Sequence, residues 1–261
     1  MLEDKTFQEA TISSDCLSGR LDSNARYSTR DLNQWILSFV QPTAEQRILD
    51  VCCGTGKQLL EYARLAGSAT GVDASAESLE QVRAAALKNG TAAKVTVHQG
   101  YLEDVPAALR GEQEGFDWIT CSYGIYYSKD PRQTVRDLKG LLKPSGKLAV
   151  IGPARRNNES FYSLVSQVWS IPRFVVWSST VFMDEDLIPE CRSLFRSVAI
   201  HDFENTIVYP TPEAVIEYWK SCGTYYNAEA VPQMRRLLEE HFSKHGNFQI
   251  TKQALGVVCS G

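Results

Sequence analysis

From Arg47 onward the chain alternates short apolar runs with longer amphipathic stretches. The runs RILDVC (47–52), ATGVD (69–73), KVTVHQ (94–99), FDWITCS (116–122) and KLAVIG (147–152) have the length and composition of buried strands. Between them, residues 57–66, 75–88, a short stretch at 103–109 and 131–142 carry helical periodicity, and KPSG (143–146) reads as a turn. Strands that alternate with helices predict βαβ units, hence an α/β fold with a parallel sheet covered on both faces. Upstream, residues 28–40 place Leu32, Trp35, Ile36 and Phe39 at helical spacing, with Pro42 just past the end. The residues up to about Arg26 form a polar arm.

The regularity breaks after Gly152. Phe161, Tyr162, Trp169, Phe174, Trp177 and Phe182 fill a segment interrupted by Pro172, which predicts helices lying over the sheet. Residues 197–203 and 248–259 read as strands and 228–244 as a helix. Residues 211–222 form another helix, with Thr211 as N-cap and Pro212 at its first position. The expected division is an N-terminal arm and helix (1–44), a core (45–153), a cap segment (154–196) and a C-terminal part that completes the sheet (197–261).

A chain of 261 residues, 43% hydrophobic and 22% charged, has the means to bury a core and is not a disordered composition. The net charge of −4 and the lack of a basic block argue against a nucleic-acid partner; Arg155–Arg156 and Arg235–Arg236 are short pairs that read as surface. No apolar run reaches the roughly 18 residues of a membrane span, and the first residues lack a signal-peptide pattern. Seven scattered cysteines without a CxxC pair predict reduced thiols in a cytoplasmic setting. His98, His201, His241 and His245 have no credible second ligand, so no metal is expected.

The strongest chemical signal is ILDVCCGTG (48–56), a strand that runs into a glycine turn and then a helix. Glycines let the backbone turn sharply and approach a ligand, and the helix start offers free N–H groups. A dinucleotide fingerprint would place its third glycine at position 59, which is Leu59. Asp50, at the head of the loop, points instead to a ligand with an ammonium group. Asp73 ends the next strand, where a carboxylate can accept bonds from two ribose hydroxyls or simply cap the helix that follows.

Taken together, LDVCCGTG, GVDAS, HQGYLEDVP, FDWITCSYGIYY and LKGLLKPSGKLAVIGP resemble the class I (Rossmann-like) S-adenosylmethionine-dependent methyltransferases over roughly residues 45–153. The resemblance implies a doubly wound, seven-stranded sheet of order 3-2-1-4-5-7-6, with the last strand antiparallel, helical cap insertions and S-adenosylmethionine as cofactor. It assigns Asp50, Gly54, Gly56, Asp73 and Ala74 to the cofactor, along with Tyr101 and Leu102 at the adenine and Ser122 after the fourth strand. Tyr27 is a further candidate at the cofactor mouth. The chain departs from the family at Cys52, where a glycine is usual, and at Tyr101, where many members carry Asp.

Methyl transfer is an in-line displacement governed by positioning and desolvation. Tyr126 and Tyr127, in the segment that borders the methyl group in this family, are the candidate catalytic residues; aromatic faces attract a sulfonium. Tyr218, Trp219, Tyr225 and Tyr226 either roof an acceptor pocket together with 155–182 or are helix–sheet packing. The expected activity is methylation of an O, N or C nucleophile of a small molecule. The alternatives are a non-catalytic S-adenosylmethionine-binding scaffold and a nicotinamide-dependent oxidoreductase; Leu59 and the lack of a Tyr-x-x-x-Lys pair speak against the latter. Neither the acceptor nor the oligomeric state is legible.

Overall fold

The computed structural model describes residue 19 and residues 26–109 and 114–261. The expected polar arm, apart from Arg26 and residue 19, lies outside the described residues. Seven strands form one sheet: β1 (Arg47–Val51), β2 (Ser68–Asp73), β3 (Val95–Gln99), β4 (Phe116–Ser122), β5 (Leu142–Pro153), β6 (Ser197–Tyr209) and β7 (Phe248–Ser260). Their order is β3-β2-β1-β4-β5-β7-β6, as the resemblance implied. β1 pairs in parallel with β2 and β4, β2 with β3, and β4 with β5. β7 runs the other way. Ala154 N–H donates to the Gln253 carbonyl and Asn158 N–H to that of Thr251, so numbers rise on one side as they fall on the other.

The helices are α1 (Leu32–Val40), α2 (Lys57–Leu65), α3 (Ala76–Lys88), α4 (Val105–Ala108), α5 (Pro131–Gly140), α6 (Glu159–Val165), α7 (Arg173–Thr180), α8 (Ile188–Leu194), α9 (Pro212–Ser221) and α10 (Val231–His245). Local chemistry sets their starts. Ser75 accepts from Ser78 N–H at 3.2 Å, Asp130 from Gln133 N–H at 2.9 Å, and Thr211 from Ala214 N–H at 3.2 Å, while Pro131 and Pro212 occupy first turns where no N–H is needed. No helix among the described residues is long and apolar enough to cross a membrane.

Three boundaries differ from expectation for identifiable reasons. α1 begins at Leu32 because Ser28 and Thr29 are engaged elsewhere. Ser28 bridges to Ile207, and Thr29 donates to the buried Asn205 side chain from its N–H and its hydroxyl. β5 begins at Leu142, ahead of the KPSG turn. Leu142 pairs with Phe116 and Lys147 with Trp118, so residues 143–146 bulge between the two registers. A Cβ at Gly146 would stand 2.6 Å from the Phe116 carbonyl oxygen. β6 continues to Tyr209; its second half buries Phe203, Asn205, Ile207 and Tyr209 in alternation, a period that the polar Asn205 conceals in the sequence.

The chain sorts into two compact units. One comprises Leu32–Gly152, Phe182–Asp202 and Leu255–Gly261. Its core includes Ile36, Ile48, Leu59, Tyr62, Leu79, Val82 and Trp118, and β1 and β2 are buried along almost their whole length, as central parallel strands should be. α8 belongs here, tied to α5 by the Arg136–Glu190 pair at 2.6 Å. The other unit comprises Pro153–Val181 and Phe203–Ala254 with the described residues before Leu32. Its core is aromatic: Phe161, Tyr209, Tyr218, Trp219 and Phe248 pack with Val215, Met234, Leu238 and Ile250.

Candidate active site

β1 ends at Val51, and the chain turns through residues 52–56 before α2 begins. Gly54 and Gly56 lie at φ 51° and 81°, the left-handed region that favours glycine. Cys52 shares that region at φ 57° although it carries a side chain, so the turn holds strain where it meets the end of the sheet. Cys53 N–H donates to the Val72 carbonyl at 3.2 Å and Gly56 N–H to that of Cys53 at 2.9 Å, which pins the loop to β2.

Asp50 sits in register with Gly71 on β2 and Thr120 on β4. It is 2% exposed. Its Oδ1 accepts from the Thr120 hydroxyl at 2.7 Å, and its Oδ2 has no partner. Burial pushes this carboxyl up to about 7 against the opposing Thr120 hydrogen bond, and the negative charge of Asp73 adds to the rise. Asp73 lies at the end of β2. Its Oδ2 accepts Gly54 N–H at 2.7 Å and its Oδ1 accepts Ser75 N–H at 2.9 Å. Burial holds it above the ordinary carboxylate value despite bonds from the Ser75, Gly54 and Ala74 N–H groups. Ser75, rather than Asp73, is the N-cap of α3.

Tyr101, Leu102, Ser122, Tyr126 and Tyr127 lie at or just past the ends of β3 and β4. Gly100 N–H donates to the Asp73 carbonyl at 3.0 Å, which places Tyr101, 61% exposed, and the buried Leu102 next along the chain. Gln99 Nε2 donates to the Ala74 carbonyl at 3.1 Å. Ser122 ends β4, and its hydroxyl oxygen is buried without a partner. Tyr123 follows at φ 56°, held by its N–H on the Ile151 carbonyl at 2.7 Å. Tyr126 and Tyr127 occupy a short 3-10 turn. The Tyr126 ring is buried, 4.7 Å from the ring of Tyr127 and 5.9 Å from that of Phe182.

Tyr27 stands in the other unit, its ring centroid 5.1 Å from that of Tyr209. Tyr218, Trp219 and Tyr225 are buried there as core residues: Tyr218 packs 4.9 Å from Phe161, and Trp219 Nε1 donates to the Tyr225 carbonyl at 3.1 Å. Tyr226, half-buried, packs its ring 5.3 Å from that of Trp219. Arg155 and Arg156 are exposed, and Arg156 Nε donates to Glu159 at 2.7 Å.

Sequence reasoning overlooked Thr120, Tyr62 and Gly124. Thr120 faces Asp50 only once the β1–β4 register is known. The Tyr62 hydroxyl is buried close to Thr120 and Asp50, and burial and the Asp50 charge push its phenol up. A Cβ on Gly124 would lie 2.4 Å from Cys52 Cβ, so this glycine leaves the room that the Cys52 side chain fills.

The arrangement is a glycine turn flanked by two carboxylates, and among the described residues no cation is one of the groups that shift them. It repels an anion such as a pyrophosphate and suits a ligand that brings a positive charge, donor hydrogens and hydroxyls. The site lies beyond the carboxyl ends of β1 and β4, where the strand order reverses, the usual ligand position in an open α/β sheet.

Comparison with known proteins agrees with this geometry. A family model described as a methyltransferase domain matches residues 48–146. The chain is 33% identical over 131 residues to the 2-phytyl-1,4-naphtoquinone methyltransferase of Trichormus variabilis, a match that covers 49% of this chain and 55% of that enzyme, little more than half of its length. It is 27% identical to the ubiquinone/menaquinone biosynthesis C-methyltransferase of Geotalea daltonii over 72% of this chain and 71% of the relative. The structure of an S-adenosylmethionine-dependent methyltransferase from Thiobacillus denitrificans, solved with S-adenosyl-L-homocysteine, superposes with a TM-score of 0.54 at 16% identity, covering 88% of this chain and 90% of that one. Residues 48–146 thus match a methyltransferase-domain model, and they lie in a sheet with the strand order of the Rossmann-like methyltransferase fold.

Proposed function

We propose that the protein is an S-adenosylmethionine-dependent methyltransferase acting on an O, N or C nucleophile of a small molecule. The observation that carries this reading is the uncompensated carboxylate pair Asp50 and Asp73 at the glycine turn. The bare Asp50 Oδ2 and Ser122 Oγ are buried polar atoms awaiting partners, and S-adenosylmethionine has the groups to supply them. When bound, it provides an electrophilic methyl on a sulfonium. On this reading Asp50 and the N–H groups at the start of α2 hold the amino-acid end, Asp73 takes the ribose hydroxyls, and Tyr101 with Leu102 flanks the adenine. Tyr126 and Tyr127 line the approach to the methyl, where aromatic rings exclude water and favour positive charge.

The quinone-pathway names of the relatives support a small organic acceptor rather than a macromolecule. The six described cysteines are all free, which suits a reducing, cytoplasmic setting. The test is thermal: S-adenosylmethionine and S-adenosylhomocysteine raise the melting temperature, and NAD does not. A ligand at a hundredfold excess over Kd stabilises by about 2.7 kcal/mol. A shift with NAD alone would overturn the assignment.

A further inference from the structure

The family pattern has glycine where this chain has Cys52, and the function proposed above makes no use of the thiol. Its surroundings do. Val51 pairs with Cys121 across β1 and β4, so Cys52 is the next residue along from the partner of Cys121. Adjacent strands lie about 4.8 Å apart, and bridgeable cysteines have Cα atoms roughly 4.4–6.8 Å apart. Both side chains turn to the same spot beside Gly124: a Cβ there would be 2.6 Å from Cys52 Sγ and 3.2 Å from Cys121 Sγ. The two sulfurs thus face the same point from adjacent strands. Cys53, next in sequence, points elsewhere, its Sγ 2.9 Å from where a Cβ on Gly71 would be.

We propose that Cys52 and Cys121 form a reversible dithiol–disulfide site that controls the glycine turn. The oxidant is a small-molecule disulfide. The half-buried Cys52, as thiolate, attacks one sulfur of the oxidant and releases one small thiol; Cys121 loses its proton and attacks the Cys52 sulfur, releasing the second. The protein loses two hydrogens and the oxidant is reduced to two thiols. Closing the gap between the two sulfurs to the S–S bond length of about 2.05 Å draws Cys52, already at a left-handed φ, toward β4 and displaces the turn. The neighbouring Cys121 thiol, burial and the Asp73 charge hold the Cys52 thiol above its ordinary value, so little thiolate is present and exchange is slow. The pair Cys191 and Cys259 is an internal control. These two residues are both fully buried and offer the oxidant no entry.

The full chain is incubated with oxidised glutathione, alkylated and digested with trypsin without reduction. The expected product joins residues 48–57 to 111–129, persists in Cys53→Ser, is lost in Cys52→Ser and Cys121→Ser, and disappears with dithiothreitol. A link through Cys53, or glutathione left as a stable mixed disulfide on Cys52, overturns the site. The control of the turn rests on the cofactor reading: cross-linked protein binds S-adenosylhomocysteine at least tenfold more weakly, and reduction restores affinity. A cross-link that leaves affinity unchanged overturns the control. Failure of the reduced protein to bind would instead count against the cofactor reading, with the mass mapping unaffected.

Discussion

Thr120 donates its hydroxyl hydrogen to Asp50 Oδ1 at 2.7 Å, leaving the other carboxylate oxygen buried and bare. One neutral donor offsets only part of the desolvation of a carboxylate, which is why Asp50 rises to about 7 from an ordinary 3.8. The folded value lies above the unfolded one, so stability associated with this group is complete below pH 3.8 and lost as pH rises through about 7. Melting temperature without ligand should therefore carry a fall between pH 3.8 and about 7, the interval between the two values, and Asp50→Asn should remove that component. Affinity for S-adenosylhomocysteine should rise over the same interval, because ionised Asp50 attracts an ammonium. Thr120→Val should move that rise to higher pH, as followed by calorimetry across the interval.

Asp73→Ala is expected to weaken S-adenosylhomocysteine at least tenfold, since hydrogen bonds to charged groups contribute about 1.5–3 kcal/mol. It should also loosen the turn, because Gly54 N–H loses its acceptor. Ser75 still caps α3, so the helix survives and circular dichroism should be unchanged. Unchanged affinity would reduce Asp73 to a backbone clamp.

The part of the fold that repeats as strand and helix was legible because its signals are local: Ser75, Asp130 and Thr211 cap by contacts three residues long. Asp50, Gly54 and Gly56 were legible too, since a strand, a turn and a helix in immediate succession constrain one another. What was hidden depends on register between distant segments. Thr120 meets Asp50 across 70 positions and Thr29 meets Asn205 across 176, and neither contact leaves a local pattern. The bulge at residues 143–146 was hidden for the opposite reason: its Pro and Gly mark a turn, but the ladder resumes on both sides of it.

Gly124→Ala tests the packing of the turn. The new Cβ would fall 2.4 Å from Cys52 Cβ, inside any real contact, so the backbone must shift, and overpacking of this kind destabilises by roughly 1–3 kcal/mol. Cys52→Gly removes the clash and the left-handed strain together. The double variant should therefore recover most of the lost melting temperature. If the two effects merely add, Cys52 is not what occupies the space beside Gly124.

Tyr126 offers the sharpest separation of chemistry from binding. Its ring packs against Tyr127 and Phe182, so Tyr126→Phe keeps the buried surface and removes only the hydroxyl. Stability should change by about 1 kcal/mol or less, the net worth of an ordinary hydrogen bond. If the hydroxyl orients the acceptor, kcat falls while S-adenosylhomocysteine affinity stays within a factor of about two, because positioning that operates only in the transition state leaves ground-state binding alone. Tyr126→Ala, by contrast, opens a cavity against Phe182 and should destabilise by about 3–5 kcal/mol, the range for deleting a buried aromatic ring. Equal losses of turnover and cofactor affinity in the Phe variant would place the hydroxyl on the cofactor rather than on the acceptor.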